Sequence, residues 1–180
     1  MCCTCWESGV VMGVGFEVRG YRRVHVYADP QDLLDVARFI AGALLLSHGI
    51  RRDTVAVVKL GDSWLAAPGD KVRHLRPDEE TLEGWIKAVL RGARLGVAMV
   101  KSKPSYDGYR VCLSLEGSPL IEMLRMPKRD TYILDYSSME ECDVRYRRPG
   151  RLKEYMLAPL VNMIIDNIEW SSPEVKNQPF

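Results

Sequence analysis

Three stretches carry residue types that could do chemistry. The first, Leu46-Ser47-His48-Gly49-Ile50-Arg51-Arg52-Asp53, sets an imidazole, two guanidiniums and a carboxylate side by side. Forked guanidiniums hold phosphates through paired hydrogen bonds, and Asp53 can accept a proton from a nucleobase or orient one arginine. The same residues equally describe a helix that ends at Gly49 with a local ion pair beyond it. On residue types alone the structural reading is the stronger one. The second stretch, His74-Leu75-Arg76-Pro77-Asp78-Glu79, places an arginine beside a helix start, and such a start is a natural anion site. Here Asp78, Glu79 and Glu80 already occupy its positive end, so capping is the default reading. The third stretch, Arg145-Tyr146-Arg147-Arg148-Pro149-Gly150-Arg151-Leu152-Lys153, mixes cations with a tyrosine. It suits RNA backbone contact with base stacking, and it suits a solvated loop equally well. His25, alone in the middle of a strand, is expected to be a satisfied structural group. There is no Gly-rich phosphate loop, no zinc spacing and no serine-hydrolase elbow.

The elements that must position these residues can be read from periodicity. Arg22 to Tyr27 alternates as a strand, and Ala28-Asp29-Pro30 breaks it, with Asp29 or Asp32 as the cap of the next element. Gln31 to Leu46 has the wide apolar face of a largely buried helix. Thr54 to Leu60 holds the β-branched run of a strand buried on both faces. A turn at Gly61-Asp62 leads into Ser63 to Ala66, and Lys71 to Leu75 reads as a further short strand. A helix capped by Asp78 runs to about Leu95 and stops at Gly96. Val97 to Val100, Tyr109 to Leu115 and Tyr132 to Leu134 read as strands, with a short helix after Pro119 and a basic loop over Arg145 to Gly150. Leu152 to Ile168 is the last helix, with Met156, Leu160, Met163, Ile164 and Asn167 near one face. Strands alternating with helices make an α/β fold with a mostly parallel sheet.

Composition narrows the classes. The 180 residues suit one domain, and 47% apolar with 27% charged residues is ordinary for a folded globular chain. A net charge of +1 gives no global nucleic-acid signature, so RNA contact would have to rest on local clusters or on a second subunit. No apolar run reaches the roughly 18 residues of a membrane span. Five cysteines, Cys2, Cys3, Cys5, Cys112 and Cys142, do not read as a secreted disulfide framework, so a reduced cytoplasm is expected. Cys2, Cys3 and Cys5 lack a second pair at zinc spacing, and no metal site is expected. Residues 1–11 read as an unstructured extension, with Met12 a possible start, 12–170 as the domain and 171–180 as a tail.

Taken in order, Asp32-Leu33-Leu34-Asp35-Val36-Ala37-Arg38, then Ala43 through Asp53, then Leu75-Arg76-Pro77-Asp78-Glu79 leading through Gly84 and Ile86, resemble the archaeal tRNA pseudouridine-54 N1-methyltransferase family. The resemblance spans Val18 to Trp170 and is strongest before Gly92. It implies a SPOUT fold, a mostly parallel sheet with helices on both faces and a C-terminal trefoil knot. It also implies a homodimer, bound S-adenosylmethionine, and methyl transfer to N1 of pseudouridine in the T-loop of tRNA. A last helix too apolar for one covered face points to the same dimer. By resemblance, Arg51, Asp53, Arg76 and Asp78 form the RNA-facing or catalytic rim, with Asp53, Arg51 and Asp78 taken as catalytic and Arg76 as RNA-facing; Arg52, Arg145, Arg147 and Arg148 join the candidate RNA contacts on their residue types. Leu115, Gly117, Leu134, Asp135, Leu157 and Val161 would lie at the cofactor. Leu113-Ser114-Leu115-Glu116-Gly117 is similar to one cofactor segment of the family. Where the family has Leu-Gly-Asp-His, this sequence has Leu134-Asp135-Tyr136-Ser137. A second reading therefore stands beside the enzyme, a SPOUT-like RNA-binding protein without cofactor.

Overall fold

The structure is a computed structural model that describes residues 17–137, 141–150 and 152–170. The expectations for residues 1–11, including Cys2, Cys3 and Cys5, for Met12 and for 171–180 lie outside the described residues, as does Arg151. In chain order the elements are β1 (Glu17–Val18), β2 (Arg23–Tyr27), α1 (Leu33–Leu44), β3 (Leu45–Leu46), β4 (Gly49–Ile50), β5 (Thr54–Leu60) and β6 (Ser63–Pro68). Then come α2 (Glu79–Leu90), β7 (Ala98–Val100), β8 (Ser105–Tyr106), β9 (Tyr109–Ser114), β10 (Ser118–Pro119) and a 3-10 turn over Leu120–Arg125. β11 (Tyr132–Asp135), β12 (Val144–Arg147) and α3 (Glu154–Trp170) complete the chain.

The large sheet runs β10-β12-β9-β11-β2-β5-β6-β7. Neighbours from β10 to β5 are parallel, and β6 and β7 are added antiparallel. β2 and the first five residues of β5 are buried on both faces; the β-branched run of β5 suits this, whereas β2 buries Arg23 and His25 between its valines. On one face Tyr27, Val58, Leu113 and Leu134 pack in a single core with residues of α1, α2, α3 and the 3-10 turn. On the other, Val24, Val26, Val55, Val57 and Ile133 pack with Val18, Tyr21, Trp64 and Tyr106. The expected helices on both faces are thus corrected: among the described residues the helices share one face. The reason lies in α1, which packs against both α2 and α3 and keeps them on its own side.

Asp32 starts α1, its carboxylate accepting from the Asp35 backbone N–H at 2.7 Å. α3 crosses α1 at a close approach made by two unusual residues. Pro159, inside α3, cannot donate to the Tyr155 carbonyl one turn back. That carbonyl lies against Gly42, where any Cβ would overlap it.

β12 lies between β9, paired at Val111–Ser114, and β10, paired at Ser118–Pro119. Only residues 115–117 join those two flanks, so they carry the chain from one side of β12 to the other. Gly117 permits this. Its φ is +118°, and a Cβ there would stand 2.6 Å from the Arg145 carbonyl oxygen.

Several finer expectations are corrected. Lys71 to Leu75 forms no strand; Val72 and Leu75 instead tuck their side chains into the core. α2 ends at Leu90, because the chain turns at Arg91 and Gly92 takes φ +86°. Leu45–Leu46 leaves the helix to pair with Gly49–Ile50. The basic loop begins as β12. Cys112 and Cys142, expected to be reduced, form a disulfide, because pairing of β9 with β12 brings their Cα atoms to 5.8 Å.

Candidate functional site

The α1–β5 loop lies at the amino ends of the parallel strands. Arg51 grips Asp166 of α3 with both prongs, Nη1 to Oδ1 at 3.0 Å and Nη2 to Oδ2 at 2.6 Å. Asp166 also receives Nη2 of Arg23 at 2.7 Å, and Arg23 reaches Glu169 at 2.9 Å. Arg22 adds a contact to Glu169 at 3.2 Å. Partial burial would raise the Asp166 carboxyl, but the Arg51 hydrogen bond and the Arg23 and Arg51 charges outweigh it and hold it below its ordinary value. Asp53 accepts from the Thr54 hydroxyl at 3.1 Å, while its backbone carbonyl receives the Arg22 and Arg23 N–H groups at 2.8 and 3.2 Å. Arg52 is exposed.

The loop from Gly69 leaves the same end, against the Arg51 backbone, and runs back over α1. Arg76 and Asp78 are exposed at its far end, and Glu79 pairs with Arg38 of α1. Asp78 caps α2 by accepting from the Thr81 N–H at 2.9 Å. Its hydrogen bonds to Thr81 hold the carboxyl below its ordinary value, which suits a cap and makes a poor base.

Of the residues aligned with the cofactor segments, Leu115, Gly117 and Asp135 lie at the opposite, carboxyl ends of the strands. Leu115 stands 63% exposed and Gly117 bridges to β10. The Ser114 hydroxyl donates to the Glu116 carbonyl at 2.7 Å, shaping that turn. Asp135 is buried in β11, one carboxylate oxygen accepting the Ser137 N–H at 2.8 Å and the other without a partner. Ser137 accepts the Ala28 N–H at 2.8 Å and so ties the end of β11 to that of β2. Leu134, Leu157 and Val161 are fully buried core residues. Of the six aligned residues, Leu115 and Gly117 are therefore the ones placed to meet a ligand.

The basic stretch is divided. Arg145 and Arg147 are in register with Cys112 and Ser114 of β9, which places their side chains on the sheet face away from the helices. Arg147 is exposed, and Arg145 reaches the Cys142 sulfur at 3.2 Å. Arg148 pairs with Glu154 at the start of α3.

His25 is as structural as its strand position suggests. Its Nδ1 lies 2.9 Å from the Tyr136 hydroxyl and its Nε2 3.1 Å from Asn162 Oδ1, while Asn162 Nδ2 donates to the Ala43 carbonyl at 2.9 Å. Asn162 Oδ1 can only accept, which assigns the proton to Nε2 and leaves Nδ1 to accept from Tyr136. Burial pushes the imidazole down to about 3, so it stays neutral. Arg23, Asn162, Asp166 and Glu169 escape sequence reasoning. Only the i, i+3 acid pair Asp166 and Glu169 on the last helix signals a cationic partner.

No protein-family model matches this chain, and no curated protein matches it.

Proposed function

We propose that the chain is an S-adenosylmethionine-dependent RNA methyltransferase of SPOUT type, acting on N1 of pseudouridine in the T-loop of tRNA. The observation that carries this is β12 seated between β9 and β10 with residues 115–117 crossing from flank to flank. It supports a knotted C-terminal half, and it sets Leu115 and Gly117 at the carboxyl edge of a parallel sheet, where α/β folds hold ligands. The fit to the cofactor is partial: exposed Leu115 offers an apolar cover, but the N–H groups of Glu116, Tyr136 and Ser137 are already given to the Ser114 hydroxyl, the Val26 carbonyl and the Asp135 carboxylate. When bound, the cofactor supplies an electrophilic methyl on a sulfonium. The protein must then align the base and take up the N1 proton. Asp53 is the better acceptor, since Asp78 is committed as a cap. Arg52 and Arg76 supply exposed cations for the RNA backbone.

In one chain Asp53 and Leu115 belong to opposite ends of the parallel strands, so a site using both needs a second copy. The outward face of α3 supports such a pairing: Met156 and Met163 are 47% and 59% exposed, and Ile121 of the neighbouring 3-10 turn is 68% exposed. The second reading, an RNA-binding protein without cofactor, draws on Asp135, which fills the place of the family's glycine.

Calorimetric titration with S-adenosylmethionine tests the two. Saturable binding near one site per chain, followed by methyl transfer to pseudouridine-containing tRNA, is the expected result. No heat and no thermal stabilisation at millimolar cofactor would leave the RNA-binding reading.

A further inference from the structure

Cys112 and Cys142 meet beside a guanidinium. Cys112 is fully buried in β9, and Cys142 lies half-buried just before β12, their Cα atoms 5.8 Å apart. Arg145 of β12 is in register with Cys112 and on the same sheet face, and its Nη2 donates to the Cys142 sulfur at 3.2 Å. The chain around Cys142 is anchored without help from the sulfurs. The Asp143 carboxylate accepts the Arg110 N–H at 2.7 Å, and the Asp143 N–H donates to the Arg110 carbonyl at 3.0 Å. Arg110 Nη1 adds a contact to the Glu141 carbonyl at 3.4 Å. With the β9–β12 ladder, these bonds keep the two cysteines opposed when the disulfide is open.

We propose that Cys142 is an oxidant-sensing thiol, with Arg145 as its positioning residue and Cys112 as the thiol that resolves its oxidised form into the disulfide. Access and charge both point to Cys142. A reagent from solvent reaches its sulfur first, since Cys112 has no exposed surface. A disulfide sulfur is a weak acceptor, so the Arg145 contact gains little while the bond is closed. A thiolate in the same place accepts a charge-assisted hydrogen bond, and a neighbouring cation favours that nucleophilic form. Arg145 is therefore better matched to the reduced state than to the cross-link. This inference stands apart from the methyltransferase reading, since it uses only the two sulfurs and the groups around them.

The oxidant is a hydroperoxide, hydrogen peroxide in the simplest case. The Cys142 thiolate attacks one peroxide oxygen, the O–O bond breaks, and hydroxide departs and takes up the thiol proton as water. A sulfenic acid remains on Cys142. The Cys112 thiolate then attacks the Cys142 sulfur; the S–S bond forms, the S–O bond breaks, and hydroxide leaves with the Cys112 proton as a second water. Two thiols lose two electrons and one peroxide takes them up. A small dithiol reverses the step by exchange.

The test uses the full chain carrying Cys2→Ser, Cys3→Ser and Cys5→Ser, so that the 112–142 pair alone reports. The protein is reduced by a phosphine, desalted and exposed at neutral pH to iodoacetamide, and labelling of each cysteine is followed by mass analysis. Cys142 should label about tenfold faster than Cys112, and Arg145→Gln should slow Cys142 by about tenfold while Arg145→Lys restores most of the rate. Equimolar hydrogen peroxide should close the pair, and in Cys112→Ser it should stop at a sulfenic acid on Cys142 that dimedone traps. Should Arg145→Gln fail to fold, the two labelling rates within the parent chain and the dimedone trap decide. Equal labelling of the two thiols would overturn the proposal, as would a pair that peroxide leaves reduced. So would a Cys142 rate unchanged by Arg145→Gln, or one that Arg145→Lys fails to restore.

Discussion

Asp166 joins the last helix to two elements at once, through Arg51 of the α1–β5 loop and Arg23 of β2. Arg23 is almost wholly buried, and removing Asp166 leaves its charge to Glu169, at 2.9 Å. Asp166→Asn is expected to cost about 2 kcal/mol in urea unfolding at pH 7, below the roughly 3–5 of a fully buried pair because Asp166 is itself partly exposed. The pH dependence has a definite sign. The Asp166 carboxyl is depressed in the folded state, so its contribution is present above the ordinary carboxylate value and lost as pH falls through the depressed one. The acid limb of the stability curve should therefore flatten in Asp166→Asn. His25 acts in a higher window. Its folded value of about 3 lies below the ordinary 6.5, so on acidification the unfolded chain takes the proton first. Stability then falls between those limits by at most ~1.4 kcal/mol per pH unit. His25→Gln, which takes no proton there, should lose that slope; an unchanged slope would show that other groups set it.

Helix contacts decide what a glycine is for. Gly42 faces the Tyr155 carbonyl that Pro159 leaves without its helical partner, and a methyl there must push α3 off α1. Gly42→Ala should destabilise by about 2 kcal/mol, the scale of overpacking a filled contact. Gly84 sits in α2 with open space where its Cβ would be. Gly84→Ala should stabilise by about 1 kcal/mol, the ordinary helix-propensity difference. Thermal melts of the two variants moving in opposite directions would verify that the α1–α3 crossing, and not glycine content, sets the requirement.

Taken as a whole, the molecule separates its two candidate regions along the strands, and the proposed dimer is what would bring them together. Met163→Lys combined with Ile121→Lys places two charges on the outward face of α3 and its neighbouring turn, both exposed positions that the monomer core does not use. Light scattering should show a dimer for the parent and a monomer for the variant, with helix content by circular dichroism unchanged. A parent protein that is monomeric at micromolar concentration would remove the dimer and, with it, a site shared between Asp53 and Leu115.

The α/β class, the central strands and all three helices of the described residues were legible in the sequence. Continuous β-branched runs suit only doubly buried strands, and Asp32 and Asp78 cap their helices as their types suggest. Local pattern reached its limit where contacts join distant residues. Nothing near Arg51 in sequence marks Asp166 as its partner 115 residues away, and nothing near Cys112 marks Cys142. The shared face of the helices and the seat of β12 between β9 and β10 were likewise decided in three dimensions. Periodicity reports which side of an element is apolar, but which neighbour covers that side depends on the path of the whole chain.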